Sequence, residues 1–432
     1  MVAAVALIAI PAVVRAQAPS VALLPAMIGQ NGDLAIPATD DGLPGEGPIR
    51  RYDWFKNLWL QKRTGWAKEV QQDQQAVVFL GDSITQGWGP RLASSFPGMK
   101  VANRGISGDT TRGMLIRLTD DVLSLNPSAV VILAGTNDLE ERATPETIAG
   151  NLKRIIAELK RHRESMPIIL CQVFPSSAKK SRPADKIRQV NQLYAEVVKG
   201  DPQITVLDTW TLFANAEGDA QLEQFPDLLH PNDAGYKMWA ASLQPIFATL
   251  GFTETEPDSF TPDPGFTSLF NGKDLTGWGF REKKTLAAQA NFDGKVSSDD
   301  GRYVAKNGRL IVTTPPEGRR IQQLWTTSEF ARDFTLKLQF RATPNADSGV
   351  FIRKPQLQCR DYLLAGPYKE LKSYRPQQWN DLVVVVKGGV AHCTCNGEVL
   401  EAELKVPATG PIGLEGDRGQ MEYRHLQIKL AP

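Results

Sequence analysis

Histidine and cysteine are scarce in this chain: four of each in 432 residues. Each shortage excludes something. Histidine is the usual general base near neutral pH, so a base must be found among His162, His230, His392 and His425. With so few cysteines a dense disulfide scaffold is excluded, as is a zinc module built on repeated cysteine pairs. Charge of one sign is also missing. The formal net charge is +1. It is not split between the halves, since residues 251–432 carry 24 basic against 22 acidic side chains. A nucleic-acid binder usually shows a basic face, and none is offered here, so no nucleic-acid partner is expected. Long apolar runs are missing too, apart from residues 2–14 (VAAVALIAIPAVV). That run is shorter than the roughly 20 residues of a membrane span and contains Pro11. It leads into Ala16-Gln17-Ala18, a small-x-small pattern. We therefore expect a signal peptide over 1–18, a secreted or periplasmic protein, and no membrane span.

What is present divides along the chain. Residues 19–49 are rich in Pro, Gly and Asp without periodicity, which suggests an extended or partly disordered arm. Over 51–70, Trp54, Phe55, Leu58 and Trp59 fall near helical spacing, as in an amphipathic helix packed on the following domain. From 76 to 250 short apolar strands (76–80, 99–102, 129–134, 167–173, 204–207) alternate with helical stretches at about 111–124, 145–163, 184–199 and 233–249. Such alternation means βαβ units and a parallel sheet with helices on both faces. Ligands in these folds bind at the carboxyl ends of the strands. Residues 251–263 have a linker composition. From 264 to 432 short alternating strands (310–313, 333–341, 349–353, 382–387) lie between Gly, Asn and Pro turns, as in an all-β sandwich.

Four polar blocks punctuate the α/β part. Gly81-Asp82-Ser83 follows the first strand and Gly105-Ile106-Ser107-Gly108 the second. Gly135-Thr136-Asn137-Asp138 follows the third, and Asp227-Leu228-Leu229-His230 precedes the last helix. Any one could be a plain turn. Together, in this order, they resemble the SGNH, or GDSL, hydrolase superfamily, in particular its platelet-activating-factor acetylhydrolase-like branch. The resemblance implies a flavodoxin-like three-layer α/β domain over about 50–250 and a serine esterase. In it Ser83 matches the nucleophile, and Asp227 and His230 match the triad acid and base. Ser83, Gly108 and Asn137 match the oxyanion hole. The residue chemistry agrees. A serine hydroxyl needs a base to take its proton, an imidazole titrates near 6.5 in general, and a carboxylate on its other nitrogen fixes the tautomer. No metal and no cofactor are required.

In the C-terminal half, Phe266-Thr-Ser-Leu-Phe-Asn-Gly-Lys-Asp-Leu-Thr-Gly-Trp278, Asp347-Ser-Gly-Val-Phe-Ile-Arg353, Gln378-Trp379-Asn380 and Gly410-Pro-Ile-Gly-Leu-Glu415 resemble the 3-keto-disaccharide hydrolase domain family. That family has a concanavalin-like jelly roll and works on carbohydrate. An acidic residue of the family pattern is replaced here by Gln356, which cannot act as acid or base. This tilts the domain toward glycan binding. Trp278, Trp325 and Trp379 are candidates for stacking on sugar, or else core residues. Cys359, Cys393 and Cys395 could supply one disulfide. The other three histidines read as a helix-end residue (His162) and strand residues (His392, His425).

The expected protein is thus a secreted esterase acting on acyl, first of all acetyl, esters of carbohydrate, with a glycan-binding or glycan-processing second domain. Lipid or lysophospholipid esters, cleavage of 3-keto-glycosides by the second domain, and a non-catalytic carbohydrate-binding protein are the alternatives. Specificity is expected in the segments 86–98 and 211–226. Neither substrate-contacting residues nor the oligomeric state can be read from the sequence.

Overall fold

The computed structural model describes residues 34–254, 256–313 and 322–432. The expected signal peptide lies outside them. Among the described residues no helix is long and apolar enough to cross a membrane.

The first elements are helix α1 (Asp53–Glu69), strand β1 (Val77–Gly81), helices α2 (Ser83–Trp88) and α3 (Arg91–Ser95), and strand β2 (Val101–Gly105). Two short helices, α4 (Thr111–Ile116) and α5 (Leu118–Asp121), replace the single helix expected over 111–124. Next come β3 (Ala129–Leu133), α6 (Thr136–Glu140), α7 (Pro145–His162), β4 (Ile168–Cys171) and α8 (Ala184–Val198). Strand β5 (Ile204–Leu207), α9 (Thr209–Phe213) and α10 (Asp233–Leu250) complete the domain. The five strands form a parallel sheet in the order β2-β1-β3-β4-β5, the expected flavodoxin-like arrangement. Strands β1, β3 and β4 are buried along their whole length, as continuous apolar runs covered on both faces must be. One apolar cluster fills each side. The first gathers Val78, Ile132, Leu152 and Ile187, and the second Phe79, Trp88, Phe174, Trp239 and Phe247.

Strand register decides where the polar loops emerge. In β1, Gly81 lies opposite Gly105 of β2 and Leu133 of β3. These three adjacent strands therefore end at one level, and the loops carrying Ser83, Gly108 and Asn137 leave the sheet side by side.

Helix α1 buries Phe55 and Trp59 against Ile36 and Ile106. Trp59 also donates its indole N–H to Leu34 O at 3.1 Å. Burying an aromatic ring of that size contributes about 3–5 kcal/mol, judged by the cost of truncating such residues to alanine. Trp54, which the helical spacing would bury, is instead half exposed. The described part of the arm, 34–49, contains no helix or strand but is not loose. Glu46 exchanges two hydrogen bonds with the Asn151 side chain (3.0 and 2.8 Å), and Arg112 donates to Gly47 O at 2.8 Å. The expected loop 86–98 is largely helical, being made of α2 and α3.

The C-terminal half is a sandwich of two antiparallel sheets. The eight-stranded sheet runs Glu398–Lys405, Val390–Cys395, Asn380–Lys387, Phe334–Ala342, Met421–Leu430, Arg309–Val312 and Tyr303–Lys306, with Thr267–Ser268 beside Met421–Leu430. The six-stranded sheet runs Gln356–Arg360, Asp347–Ile352, Ile412–Arg418, Leu324–Thr326, Trp278–Arg281 and Ala288–Asn291. This is the all-β sandwich expected, with one apolar cluster between the sheets. All four cysteines are free and buried. No bridge joins Cys359, Cys393 and Cys395, and Cys393 and Cys395 share the core face of their strand.

The described residues of the linker are stitched down by ion pairs. Glu254 pairs with Arg309 and Arg341 at 2.6 and 3.0 Å, Asp258 with Arg424 at 3.0 Å, and Asp263 with Lys337 at 2.9 Å. The two halves also touch directly. Gln420 donates to Pro245 O at 3.2 Å, Thr249 to the buried Glu422 at 3.1 Å, and Asn345 to Asp208 at 2.8 Å.

Candidate active site

Ser83 is the first residue of α2, directly beyond β1. Its N–H thus belongs to the first turn, where donors have no acceptor within the helix. Asp82 caps the helix by accepting the Ile84 N–H at 2.9 Å. At the other edge of the site, Leu228 takes a left-handed conformation (φ 63°). That turn folds Asp227 back on His230. Asp227 Oδ1 accepts the N–H groups of Leu229 and His230 at 3.0 and 2.7 Å, and Oδ2 meets His230 Nδ1 at 2.7 Å. His230 Nε2 lies 3.0 Å from Ser83 Oγ. The three side chains therefore stand in a line, Ser83–His230–Asp227. Partial burial pushes the Asp227 carboxyl up, but the two N–H donors and the imidazole outweigh it and hold the group at about 2. It is an anion at neutral pH and accepts the Nδ1 proton, which leaves Nε2 with a free lone pair facing the serine.

Gly108 has φ 88°, a region that favours glycine, and a Cβ there would stand 2.6 Å from Trp54 and 3.0 Å from Arg50. Any side chain there would have to displace the Trp54 ring and the Arg50 guanidinium. Asn137 is buried at the start of α6, with one amide hydrogen donated to Asp109 O at 3.0 Å. The second amide hydrogen is left for a ligand. The structure thus brings all five sequence-expected residues (Ser83, Gly108, Asn137, Asp227 and His230) to the carboxyl ends of the strands.

Around them stands a frame that the sequence did not disclose. Arg182, buried, donates to Thr136 O and Asn137 Oδ1 (3.0 Å each), Lys180 O (2.6 Å) and Glu140 (2.7 Å). It fixes which end of the Asn137 amide is the donor. Asp138 accepts the Thr111 N–H at 2.9 Å and its hydroxyl at 2.5 Å, tying the loop after β3 to the loop after β2. Asp109 pairs with the buried Arg117 at 2.8 Å, and Arg117 also reaches Gly81 O at 3.2 Å. Burial pushes Asp82 and Asp138 up to about 6. Asp109 and Asp138 are sequence neighbours of Gly108 and Asn137, a signal that could have found them. Arg182 has no comparable signal.

The remaining candidates separate. His162 ends α7, where burial and Arg163 lower its imidazole. His392 sits exposed on a strand. His425 stacks on Phe260 and lies 3.2 Å from Asp258. Trp278 is core, its N–H bonded to Leu269 O at 2.8 Å. Trp379 lies under Arg424 and Arg341, whose guanidinium carbons are 4.1 and 4.6 Å from its ring. Trp325 lines a cavity of about 350 Å³, formed with residues such as Phe280, Arg281 and Gln289. Gln356 donates to Glu415 at 2.8 Å, and Gln323 donates to the other oxygen at 2.7 Å. Burial raises the Glu415 carboxyl. The acid missing at 356 therefore has a neighbour across the sheet. Among the described residues no three His, Cys, Asp or Glu side chains group as a metal site would need.

Residues 79–238 match the GDSL-like Lipase/Acylhydrolase family, and 265–429 match the 3-keto-alpha-glucoside-1,2-lyase-like domain. Platelet-activating factor acetylhydrolase IB subunit alpha2 of Homo sapiens is 26% identical over 229 residues, covering 51% of this chain and 93% of that protein. The human alpha1 subunit is 26% identical over 231 residues, covering 52% and 93%. Among solved structures, a GDSL-like lipase from Bacteroides thetaiotaomicron is 25% identical, covers 43% of this chain and 97% of its own, and has a TM-score of 0.39. Residues 79–238 are thus a GDSL-like acylhydrolase domain, which makes the chain an ester-hydrolysing enzyme, and a 3-keto-disaccharide hydrolase-like domain follows it.

Proposed function

We propose that the chain is an exported serine esterase that removes acyl groups, first of all acetyl, from carbohydrate esters. Ser83, His230 and Asp227 are its triad, and Ser83 N–H, Gly108 N–H and the Asn137 amide form its oxyanion hole. The observation that carries this reading is the line of hydrogen bonds from Ser83 Oγ through His230 to Asp227.

In this reading His230 Nε2 takes the Ser83 proton as Oγ attacks the ester carbonyl. The imidazolium is stabilised by ionised Asp227. Negative charge collects on the former carbonyl oxygen, where the three donors meet it. The C–O bond to the alcohol breaks, and His230 returns the proton to the leaving oxygen. Water, activated by the same nitrogen, then releases the acid from Ser83. Three things support the acyl group, the alcohol and the compartment. The curated relatives are named acetylhydrolases. The second domain matches a sugar-processing family. Residues 2–18 have signal-peptide character.

The test is an ester panel (p-nitrophenyl acetate, acetylated xylo-oligosaccharide and a short-chain phospholipid) against wild type and Ser83→Ala. We expect turnover of the acetylated sugar that disappears in the variant. Equal rates in the two proteins would overturn the mechanism, and turnover of phospholipid alone would overturn the substrate class.

A further inference from the structure

The edge of the site is formed by helix α1 and the residues leading into it. Tyr52 and Trp54 are the most exposed aromatic side chains among the described residues, at 52% each. Their rings are nearly parallel, 10° apart, with centroids at 6.3 Å. Each ring is anchored. Trp54 packs edge-on against the buried Phe55 at 5.7 Å, and the Tyr52 hydroxyl lies 3.5 Å from Glu141. Apolar area of this size in water needs a reason, because the same helix buries Phe55 and Trp59 almost completely.

Position supplies the reason. The six-membered ring of Trp54 reaches to where a Cβ on Gly108 would be, 2.6 Å away. The indole therefore borders the loop whose N–H faces the reacting oxygen. Behind it is a cavity of about 400 Å³, lined by Arg50, Tyr52, Trp54, Glu140, Glu141 and Arg142. Arg50 bridges Glu140 and Glu141, the latter at 2.7 Å, and Glu140 also receives Arg182, which holds Asn137. Two lining residues, Trp54 and Arg50, thus border Gly108, and a third, Glu140, is joined to Asn137 through Arg182.

We infer that this cavity is a subsite for the sugar ring that carries the ester. The inference rests on the esterase reading and names the part of the substrate the triad leaves unspecified. A pyranose ring has an apolar C–H face and a rim of hydroxyls. The Tyr52–Trp54 pair offers a flat apolar surface, and four of the six lining side chains are charged donors or acceptors at its edge. A fatty acyl chain would require the opposite lining, apolar walls without charge. The lining therefore favours a polar ring over an alkyl chain in this cavity, and the phospholipid arm of the experiment tests a lipid headgroup there.

The experiment compares Tyr52→Ala and Trp54→Ala with wild type on acetylated xylo-oligosaccharide, p-nitrophenyl acetate and a short-chain phospholipid. The quantity read is the ratio of kcat/KM on the sugar ester to that on p-nitrophenyl acetate. We expect this ratio to fall about tenfold or more in each variant, mainly through KM. Tyr52→Ala guards against a folding artefact, because it does not touch Gly108. An unchanged ratio, or a loss confined to the phospholipid, overturns the subsite. Calorimetric titration of Ser83→Ala with the sugar ester, with and without Tyr52→Ala, separates this failure from failure of the esterase reading. Sugar binding that depends on Tyr52 supports the subsite even without turnover, and binding indifferent to Tyr52 refutes it.

Discussion

Removing Arg182 tests whether the proposed oxyanion hole is held in place from behind. Arg182→Met keeps the aliphatic stem and deletes four hydrogen bonds: to Thr136 O, Asn137 Oδ1, Lys180 O and Glu140. Glu140 is 42% exposed at its side chain and can turn to water, but Asn137 Oδ1 and Thr136 O lie in the interior. Without the guanidinium, the Asn137 amide retains only its bond to Asp109 O, and its orientation toward the substrate is no longer fixed. The upper limit on the kinetic cost is the loss of one oxyanion donor, about 2.7–4 kcal/mol or 10²–10³ in kcat. A disordered donor is not a deleted one, so kcat should fall about 10- to 100-fold with KM little changed. Arg182→Lys, with one donor reach in place of a fork, should lie between wild type and Arg182→Met. The decisive comparison is a double-mutant cycle on p-nitrophenyl acetate. If Arg182 acts through Asn137, then Arg182→Met added to Asn137→Ala costs almost nothing further in kcat. Losses that multiply, or a loss lying wholly in KM, would refute the positioning role. Thermal unfolding of each variant guards against a trivial explanation, since leaving a buried acceptor such as Asn137 Oδ1 without its donor destabilises by about 1–3 kcal/mol.

Two further outcomes concern the charges near Ser83. Asp227→Asn should lower kcat by about 10³–10⁴ while leaving the fold intact, because an amide does not fix the required imidazole tautomer or stabilise its cation; activity within tenfold of wild type would remove Asp227 from the triad. Asp82 titrates at about 6 in the folded protein, pushed up by burial and drawn back by the Ile84 N–H, Arg182 and His230. Its unfolded value is about 3.9. Below pH 4 both states carry the proton and stability is complete. As pH rises from about 4 to 7 the unfolded chain releases the proton first, and stability falls by up to about 3 kcal/mol. Asp82→Asn keeps an acceptor for Ile84 and removes that decline, so the variant gains on wild type between pH 4 and 7.5 in urea unfolding. Parallel pH dependences in the two proteins would contradict the assignment.

How far the sequence foretold this site depends on how local each feature is. The strands were legible because β1, β3 and β4 are apolar at every position, which only a doubly covered sheet tolerates. Ser83 and Asn137 were legible because each sits a few residues beyond such a strand, Gly108 because it follows the less apolar β2, and parallel register then delivers them to one level. Asp227 and His230 were legible because they stand three positions apart, a spacing one turn can close. Arg182 was not. It lies 45 residues from Asn137 in a turn without periodicity, and only the fold aligns its fork with that amide. Helical spacing misled at Trp54, because periodicity registers which face an apolar residue occupies but not whether another element covers it. Glu415 escaped for a related reason. Glutamine stands at position 356, and its carboxyl partner comes from a strand 59 residues away. Residues set by strand order and chain proximity can be read from motifs, then. Those that complete a constellation across the sheet are fixed only when the layers pack, and it is among these that the support of Asn137 and the exposed aromatic pair at the rim were found.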